Sequence, residues 1–135
     1  MASVTAIHHV SLLVSDTRQA LDFYQRLLGL ELDKSRPALD YPGAWLRVGE
    51  AQIHLLELPD ALRGTALPAH GGRDRHIALA VTDLDALQAA LEAAAITVSR
   101  SRSGRRALFC RDPDVNAVEL VEVMATYKGV PPARY

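Results

Sequence analysis

The stretch IHHVSLLVSD at positions 7–16 returns later in the chain as DRHIALAVTD at positions 74–83. The match places His9 on His76, at an offset of 67 residues. Two copies at so long a spacing are too few for a solenoid, which needs at least three repeats of about 20 to 50 residues. The repeat therefore indicates that one supersecondary unit has been duplicated.

A second match lies at the far ends of the two copies. Residues 52–58, QIHLLEL, align with residues 117–123, AVELVEV, so that His54 falls on Glu119 at an offset of 65 residues. A loop can absorb the small difference between the two offsets. Both halves are therefore expected to contain the same elements in the same order.

Each half is predicted to start with a strand that leads into a helix. Asp16 and Asp83 follow the first strand of their halves and are suited to cap a helix N-terminus. Apolar residues then recur at the spacing of an amphipathic helix, and Gly29 is suited to end the first one. Three strands should follow each helix, at residues 31–34, 44–48 and 52–58 and at residues 96–99, 106–111 and 117–123. The sequence thus predicts βαβββ twice, an α+β fold.

The two halves are joined by residues 59–73, a stretch that is rich in proline and glycine. We therefore divide the chain into a module of residues 5–58, a linker of residues 59–73, a module of residues 74–124 and a C-terminal tail of residues 125–135.

Composition places the chain among ordinary globular proteins, with 135 residues, 49% hydrophobic residues and a formal net charge of -1. It contains no apolar run of about 18 residues and does not begin like a secretory signal, so no membrane association is predicted. The near-neutral charge argues against nucleic acid as a partner. The single cysteine, Cys110, cannot form an intrachain disulfide. We expect a cytoplasmic protein.

Strand parity predicts which side chains share a face of each sheet. One face of the first and last strand of each half is aliphatic and suited to packing beneath a helix. The opposite face carries one metal-capable side chain on each of these strands: His9, His54, His76 and Glu119. Unpaired polar groups on a partly buried face are costly, so four at repeat-related positions point to a shared partner. The pattern predicts a metal site.

Several motifs occur in a characteristic order along the chain. They are HVSLLVSD at residues 9–16, FY at 23–24, LG at 28–29, HIALAV at 76–81, and DPD at 112–114 followed by Glu119-Leu120. In this order they resemble the vicinal oxygen chelate superfamily. That group includes glyoxalase I, bleomycin-resistance proteins, fosfomycin-resistance thiol transferases, methylmalonyl-CoA epimerase and extradiol dioxygenases. The resemblance covers about residues 5–124.

The resemblance implies a cupped, partly open mixed sheet barrel built from the two modules. It also implies that His9, His54, His76 and Glu119 bind one divalent metal ion. A homodimer would share that site by module exchange, with the first two residues from one chain and the last two from its mate. The donor types suit zinc, nickel, iron, manganese or cobalt without selecting among them. Such an ion can chelate a small oxygen-rich substrate and stabilise an enolate or oxyanion.

The identity of residue 54 leaves two ligand sets open. Glyoxalase I typically has a glutamate here that can double as a base. If His54 does not bind, His9, His76 and Glu119 form a two-histidine, one-carboxylate face, and His54 becomes an acid or base beside the ion. We therefore predict catalytic roles for Glu119 and His54.

Three functions follow from this reasoning. The favoured one is a metal-dependent lyase, isomerase or transferase of the glyoxalase type. The second is an extradiol-type dioxygenase, and the third is a non-catalytic small-molecule-binding or resistance protein. Retention of all four candidate ligands argues against the third.

Two positions depart from the family pattern, because Ala95 and Val115 stand where glycine is common. A β-branched residue is poorly suited to a positive φ angle, so we expect either rebuilt turns or reduced stability. Outside the ligand set, we expect His8 to be structural, His70 to be a solvated loop residue or a lid, and Cys110 to be buried.

A group of arginines is predicted near the rim of the cup. Their guanidinium groups either bind an anionic substrate through forked hydrogen bonds or remain solvated. The four residues are Arg73, Arg75, Arg105 and Arg106.

Overall fold

The computed structural model describes residues 1–127. They form two compact units, one of residues 1–64 and one that begins at Thr65. The second unit includes residues 65–73 of the predicted linker. Residues 128–135, the larger part of the predicted tail, lie outside the described residues. No described helix has both the length and the apolar character needed to cross a membrane.

The first unit contains one four-stranded sheet. Its elements are β1 (His9–Val14), α1 (Thr17–Leu21), a π-helical stretch (Asp22–Leu27), β2 (Glu31–Asp33), β3 (Gly43–Val48) and β4 (Ala51–Glu57). The strand order is β1-β4-β3-β2, in which β1 and β4 are parallel and the other neighbours antiparallel. This is the predicted βαβββ order.

The second unit repeats this arrangement. Its elements are a 3₁₀ turn (Gly71–Arg73), β5 (His76–Val81), α2 (Leu84–Ala93), β6 (Ser99–Arg100), β7 (Ala107–Arg111) and β8 (Ala117–Glu122). The order is β5-β8-β7-β6, again with one parallel pair, β5 with β8. The predicted α+β fold of two βαβββ modules is confirmed, and each sheet is open rather than closed into a barrel.

The two sheets also share one register. Ser11 lies opposite His54 in the first sheet, and Ala78 lies opposite Glu119 in the second. Both offsets read from the sequence are therefore preserved in three dimensions. His54 and Glu119 occupy equivalent positions of the two modules.

The core of each unit contains aliphatic side chains from one face of its sheet, as strand parity predicts, and in the second unit also from α2. Burial of each such side chain stabilises the fold by about 1.5 to 3 kcal/mol. The fully buried members are Val14, Leu46, Ile53 and Leu55 in the first unit and Leu84, Leu91, Leu108, Val118 and Leu120 in the second.

Both helices begin at the predicted aspartates. The Asp16 carboxylate accepts a hydrogen bond from the Gln19 backbone N–H at 3.2 Å, and Asp83 accepts one from the Ala86 N–H at 3.0 Å. Each aspartate satisfies one of the N–H groups that a helix leaves without an intrahelical partner.

A second carboxylate, which the sequence reasoning missed, reaches each helix start from the end of a strand. Glu57 accepts from the Thr17 N–H at 2.8 Å, and Glu122 accepts from the Leu84 N–H at 3.1 Å. Because both glutamates lie at the same position of their modules, the duplication extends to the way each helix is tied to its sheet.

The first helix departs from a regular α-helix after Leu21. Asp22–Leu27 is π-helical, and the Leu28 N–H donates to the Phe23 carbonyl at 3.0 Å, a bond that spans five residues. Gly29 ends the helix with a φ of 76°, in agreement with its predicted role.

The strand predicted at residues 96–99 is shifted, because β6 contains only Ser99–Arg100. Residues 95–98 form the turn that follows α2. The Ile96 N–H donates to the Leu91 carbonyl at 2.9 Å, and Ala95 has a φ of 60°. This is the bonding of a Schellman motif, whose left-handed residue is usually glycine.

Candidate metal centre

His54 is the middle ring of three aromatic side chains on the polar face of the first sheet. Its ring stacks on His9 with centroids 4.1 Å apart and on Trp45 with centroids 4.2 Å apart. The three residues lie on the adjacent strands β4, β1 and β3. Both faces of the imidazole are covered, and His54 is only 9% exposed.

A chain of hydrogen bonds fixes which nitrogen of His54 carries the proton. The Gln52 Nε2 donates to the Asp33 Oδ2 at 2.6 Å, and the Gln52 Oε1 lies 2.9 Å from the His54 Nε2. Hydrogen bonds from Ser35 are the main cause that lowers the pKa of Asp33 to about 2, so this carboxylate only accepts. The Gln52 amide must then turn its oxygen to His54, and the Nε2 of His54 must donate.

This orientation leaves the His54 Nδ1 as the nitrogen with a free lone pair. Burial lowers the pKa of His54, and the neighbouring His9 and His8 lower it further. The residue is therefore a neutral imidazole whose Nε2 is already engaged.

His9 is engaged through its other nitrogen. Its Nδ1 lies 2.8 Å from the Nδ1 of His8, which leaves the Nε2 of His9 as the nitrogen that could bind an ion. His8, expected to be structural, is exposed and contacts a predicted ligand directly.

His76 in the second unit has the hydrogen bonding typical of a metal ligand. Its Nδ1 lies 2.8 Å from the Asp74 backbone carbonyl, which can only accept, so Nδ1 carries the proton. The Nε2 lies 3.2 Å from the Glu119 Oε2. A neutral imidazole would thus point a lone pair at a carboxylate oxygen. The contact needs either a second proton on the ring or a cation shared by both groups.

Glu119 is nearly enclosed, with 4% of its surface exposed. Its second oxygen accepts from the Arg105 guanidinium at 3.0 Å. A buried carboxylate is costly unless it is paired, and Arg105 supplies that pairing for one of the two oxygens. His76 and Glu119, on neighbouring parallel strands, are brought together as strand parity predicts.

The side chains of this pair open onto a pocket of about 340 Å³ in the second unit. His70 lines it as well: its Nδ1 accepts from the Gly72 N–H at 3.0 Å, and its ring lies 4.8 Å from the Phe109 ring. The full lining is His70, Gly72, Arg73, His76, Ser101, Arg102, Ser103, Arg105, Phe109 and Glu119.

The predicted arginines fall into different environments. Arg73 and Arg105 line the pocket, as does Arg102, which sequence reasoning missed. Arg106 instead pairs with Glu122 at 2.8 Å and with Asp85 at 3.1 Å. No sequence signal singled out Arg102, because its place depends on the course of the loop between β6 and β7.

Cys110 is a buried residue of β7, as predicted. Burial is the main cause that raises the pKa of its thiol to about 12. The thiolate, which is the nucleophilic form, is therefore disfavoured, and Cys110 takes no part in the site.

Comparison with known proteins identifies the family. The family model described as Glyoxalase/Bleomycin resistance protein/Dioxygenase superfamily matches residues 6–120. The chain belongs to this superfamily. The match confirms the resemblance drawn from the ordered motifs.

Individual proteins also resemble the chain over most of its length. Glyoxylase I 4 of Arabidopsis thaliana is 29% identical over 122 residues, covering 87% of this chain and 70% of that protein. YaeR of Escherichia coli K12, an uncharacterized protein, is 30% identical over 129 residues, covering 90% and 99%. The crystal structure of FosX, a fosfomycin resistance protein of Listeria monocytogenes, has a TM-score of 0.69 at 18% identity, covering 91% and 97%. The last likeness concerns the fold alone.

The two pairs of predicted ligands differ in how well they suit a metal ion. Within residues 1–127, no three His, Cys, Asp or Glu side chains gather into a group able to hold an ion. The predicted ligands form two pairs, one in each unit. His76 and Glu119 suit a shared cation. The rings of His9 and His54 are only 14° from parallel, so their in-plane lone pairs do not converge.

Proposed function

We propose that the protein is a metal-dependent enzyme of the glyoxalase type that acts on a small oxygen-rich molecule. The observation that carries this proposal is the contact between His76 and Glu119, where two acceptors face each other at 3.2 Å unless a proton or cation lies between them. A bound divalent ion would act as a Lewis acid that stabilises an enolate or oxyanion. Zinc, nickel, iron, manganese and cobalt all suit these donors.

We propose His9, His76 and Glu119 as the ligands, with His54 beside the ion. The Nε2 of His54 is committed to Gln52, whereas the Nε2 of His9 is not used in its contact with His8. The His54 Nδ1 is then the atom that accepts a proton from substrate. A set of four ligands that includes His54 is the alternative.

The roles of the other side chains follow from their contacts. The Asp74 carbonyl holds the His76 ring in the tautomer that presents Nε2. Arg105 fixes one oxygen of Glu119 and leaves the other toward His76. Phe109, whose ring meets His76 edge to face at 5.3 Å, forms an apolar surface beside this pair.

Membership of the superfamily and the relative named Glyoxylase I 4 support a glyoxalase-type reaction. The proposed three-ligand set is also the one that non-haem iron oxygenases use, so an extradiol-type dioxygenase is the second candidate. Oxygen uptake with ferrous iron and a catechol as substrate would identify the dioxygenase.

We further propose that the working unit is a homodimer with shared metal sites. The four predicted ligands divide evenly between the two units of the chain, and a complete set needs both units. Exchange of units between two chains would assemble two such sites in a closed, symmetric dimer.

Metal content per chain, measured by elemental mass spectrometry on protein purified without added metal, tests the proposal. We expect about one equivalent of a divalent transition metal. His76→Ala and Glu119→Gln should lose the metal, and His54→Ala should keep it if three ligands suffice. His70→Gln, a histidine of the same pocket outside the ligand set, is the matched control.

Full metal occupancy in both His76→Ala and Glu119→Gln would contradict the site. Loss of metal in His54→Ala would select the four-ligand alternative. A wild-type protein that neither contains metal nor takes up zinc, nickel, manganese or ferrous iron would be a non-catalytic small-molecule binder.

A further inference from the structure

The pocket beside Glu119 is unusually rich in hydrogen-bond donors. Three guanidinium groups and two hydroxyls line it: those of Arg73, Arg102, Arg105, Ser101 and Ser103. Glu119 is the sole carboxylate in the lining, and Arg105 already pairs with it at 3.0 Å. Positive charge therefore exceeds negative charge in this pocket.

Two of the three guanidinium groups are uncommitted. Those of Arg73 and Arg102 form no hydrogen bond or ion pair with any side chain or carbonyl in the described part of the chain. Other arginines nearby are paired, since Arg100 contacts Asp85 at 3.4 Å and Arg106 contacts Glu122 at 2.8 Å. Arg73 and Arg102 are thus two unpaired cations that line the same pocket.

The hydroxyls are organised so that one can donate to a ligand. Ser103 Oγ accepts from the Arg105 Nε at 3.2 Å and lies 2.8 Å from the Ser101 Oγ. When Ser103 donates to Ser101, the hydrogen of the Ser101 hydroxyl has no partner within this pair. Arg105 therefore joins the hydroxyl pair to Glu119 through one rigid guanidinium group.

We infer that this pocket binds the oxyanion group of a small-molecule substrate, through Arg73 and Arg102 with help from Ser101. Two unpaired guanidinium groups suit a dianion, such as a phosphoryl group or a dicarboxylate, because each can form paired, charge-assisted hydrogen bonds. The inference rests on the proposed function, since it makes the pocket the substrate site of the same centre.

The pocket also orients such a substrate. Arg105 shields one oxygen of Glu119, which lowers the repulsion between that carboxylate and the incoming anion. Phe109 offers an apolar surface for the carbon part of the molecule, next to His76. The neutral end of the substrate would then lie at His76 and Glu119.

The pocket depends on the absence of a side chain at Gly72. A Cβ at this position would lie 3.0 Å from the His70 Nδ1 and 3.1 Å from the Phe109 Cζ. Both contacts are closer than most van der Waals contacts, so one of the two rings would have to shift by a few tenths of an ångström. Both rings line the pocket, so a larger residue at position 72 would alter its wall.

Titration calorimetry of the full chain as purified, with inorganic phosphate and with malonate at constant ionic strength, tests this inference. Saturable binding of at least one probe is expected. Arg73→Gln and Arg102→Gln should each weaken it about tenfold, the loss that corresponds to one charge-assisted contact. Arg18→Gln, which removes an exposed positive charge from the first unit, should leave binding unchanged.

The titration is repeated after removal of bound metal by a chelator. Binding that survives chelation and falls in the two variants supports the anion site even if the metal proposal fails. Binding that disappears with the metal but is as strong in Arg73→Gln and Arg102→Gln as in wild type would mean that the probes bind only the ion. That result, or no saturable binding, would overturn the inference.

Discussion

At the scale of single residues, the tautomer of His54 depends on two neighbouring side chains, Gln52 and Asp33. Asp33 is an obligate acceptor, so it turns the amide of Gln52, and that amide sets the tautomer of His54. The arrangement engages Nε2 with Gln52 and leaves Nδ1 with a free lone pair. Gln52 is thus a positioning residue.

Replacing Gln52 with methionine tests this relay, because methionine has a similar length but no comparable acceptor. One neutral hydrogen bond contributes about 1 kcal/mol, so the ratio of the two His54 tautomers should move toward Nδ1–H by about fivefold. The ¹⁵N chemical shifts of the ring nitrogens, measured near pH 8 where imidazole is neutral, report that ratio.

Gln25→Met, a change at an exposed helix position, is the control and should leave the His54 shifts unchanged. An unaltered tautomer ratio in Gln52→Met would show that another group sets the orientation of His54.

The sequence could place His9, His54, His76 and Glu119 on a common type of face because strand parity is a local rule. It could not reveal the contact of Gln52 with Asp33. Gln52 lies on β4 and Asp33 on β2, so the contact depends on a strand order in which only β3 separates the two. Long-range contacts of this kind have no local signal.

At the scale of elements, the two turns that lack glycine keep the backbone that glycine would favour. Ala95 and Val115 both have a φ of 60°, so the turns are not rebuilt. The sequence identified both positions, but it left open whether the turns would be rebuilt or would keep a left-handed residue at a cost in stability. The hydrogen bonds around each turn decide this: in the second one the Val115 N–H donates to the Asp112 carbonyl at 3.0 Å.

Val115→Gly should therefore stabilise the protein. A left-handed conformation costs a residue with a Cβ about 1 to 2 kcal/mol, and the greater flexibility of glycine in the unfolded chain returns part of this gain. The Val115 side chain is 49% exposed, so little burial is lost. We expect the free energy of unfolding in urea to rise by about 1 kcal/mol.

Val115→Ala provides the comparison, because it removes the β-branch but keeps the Cβ. Its stability should lie between those of wild type and Val115→Gly. A Val115→Gly protein less stable than wild type would indicate that the valine side chain makes a stabilising contact that outweighs the strain.

At the scale of the whole molecule, duplication explains why each unit carries one pair of the predicted ligands. The first unit supplies His9 and His54, and the second supplies His76 and Glu119, all at equivalent register positions. The repeat and the fold were readable from the sequence. How the proposed ligands would combine was not, because each unit carries the same pattern whether a site forms within one chain or between two.

Complementation between two inactive variants distinguishes a shared site from one within a single chain. His9→Ala damages the first unit, and His76→Ala damages the second. In a mixed dimer with exchanged units, both lesions fall in one site and the other site is intact. Co-refolding equal amounts of the two variants should restore about a quarter of the wild-type metal content, because about half of the dimers are mixed and each has one good site.

The control is a mixture of His76→Ala with Glu119→Gln, whose lesions both lie in the second unit. Every site assembled between these chains contains one damaged ligand, so this mixture should stay empty, as should each variant alone. Metal content is read by elemental mass spectrometry on the dimer fraction. Recovery only in the first mixture requires a site built from two chains. Absence of recovery in both would contradict sharing and assign the four residues to one chain, since a site within a chain always keeps its own lesion.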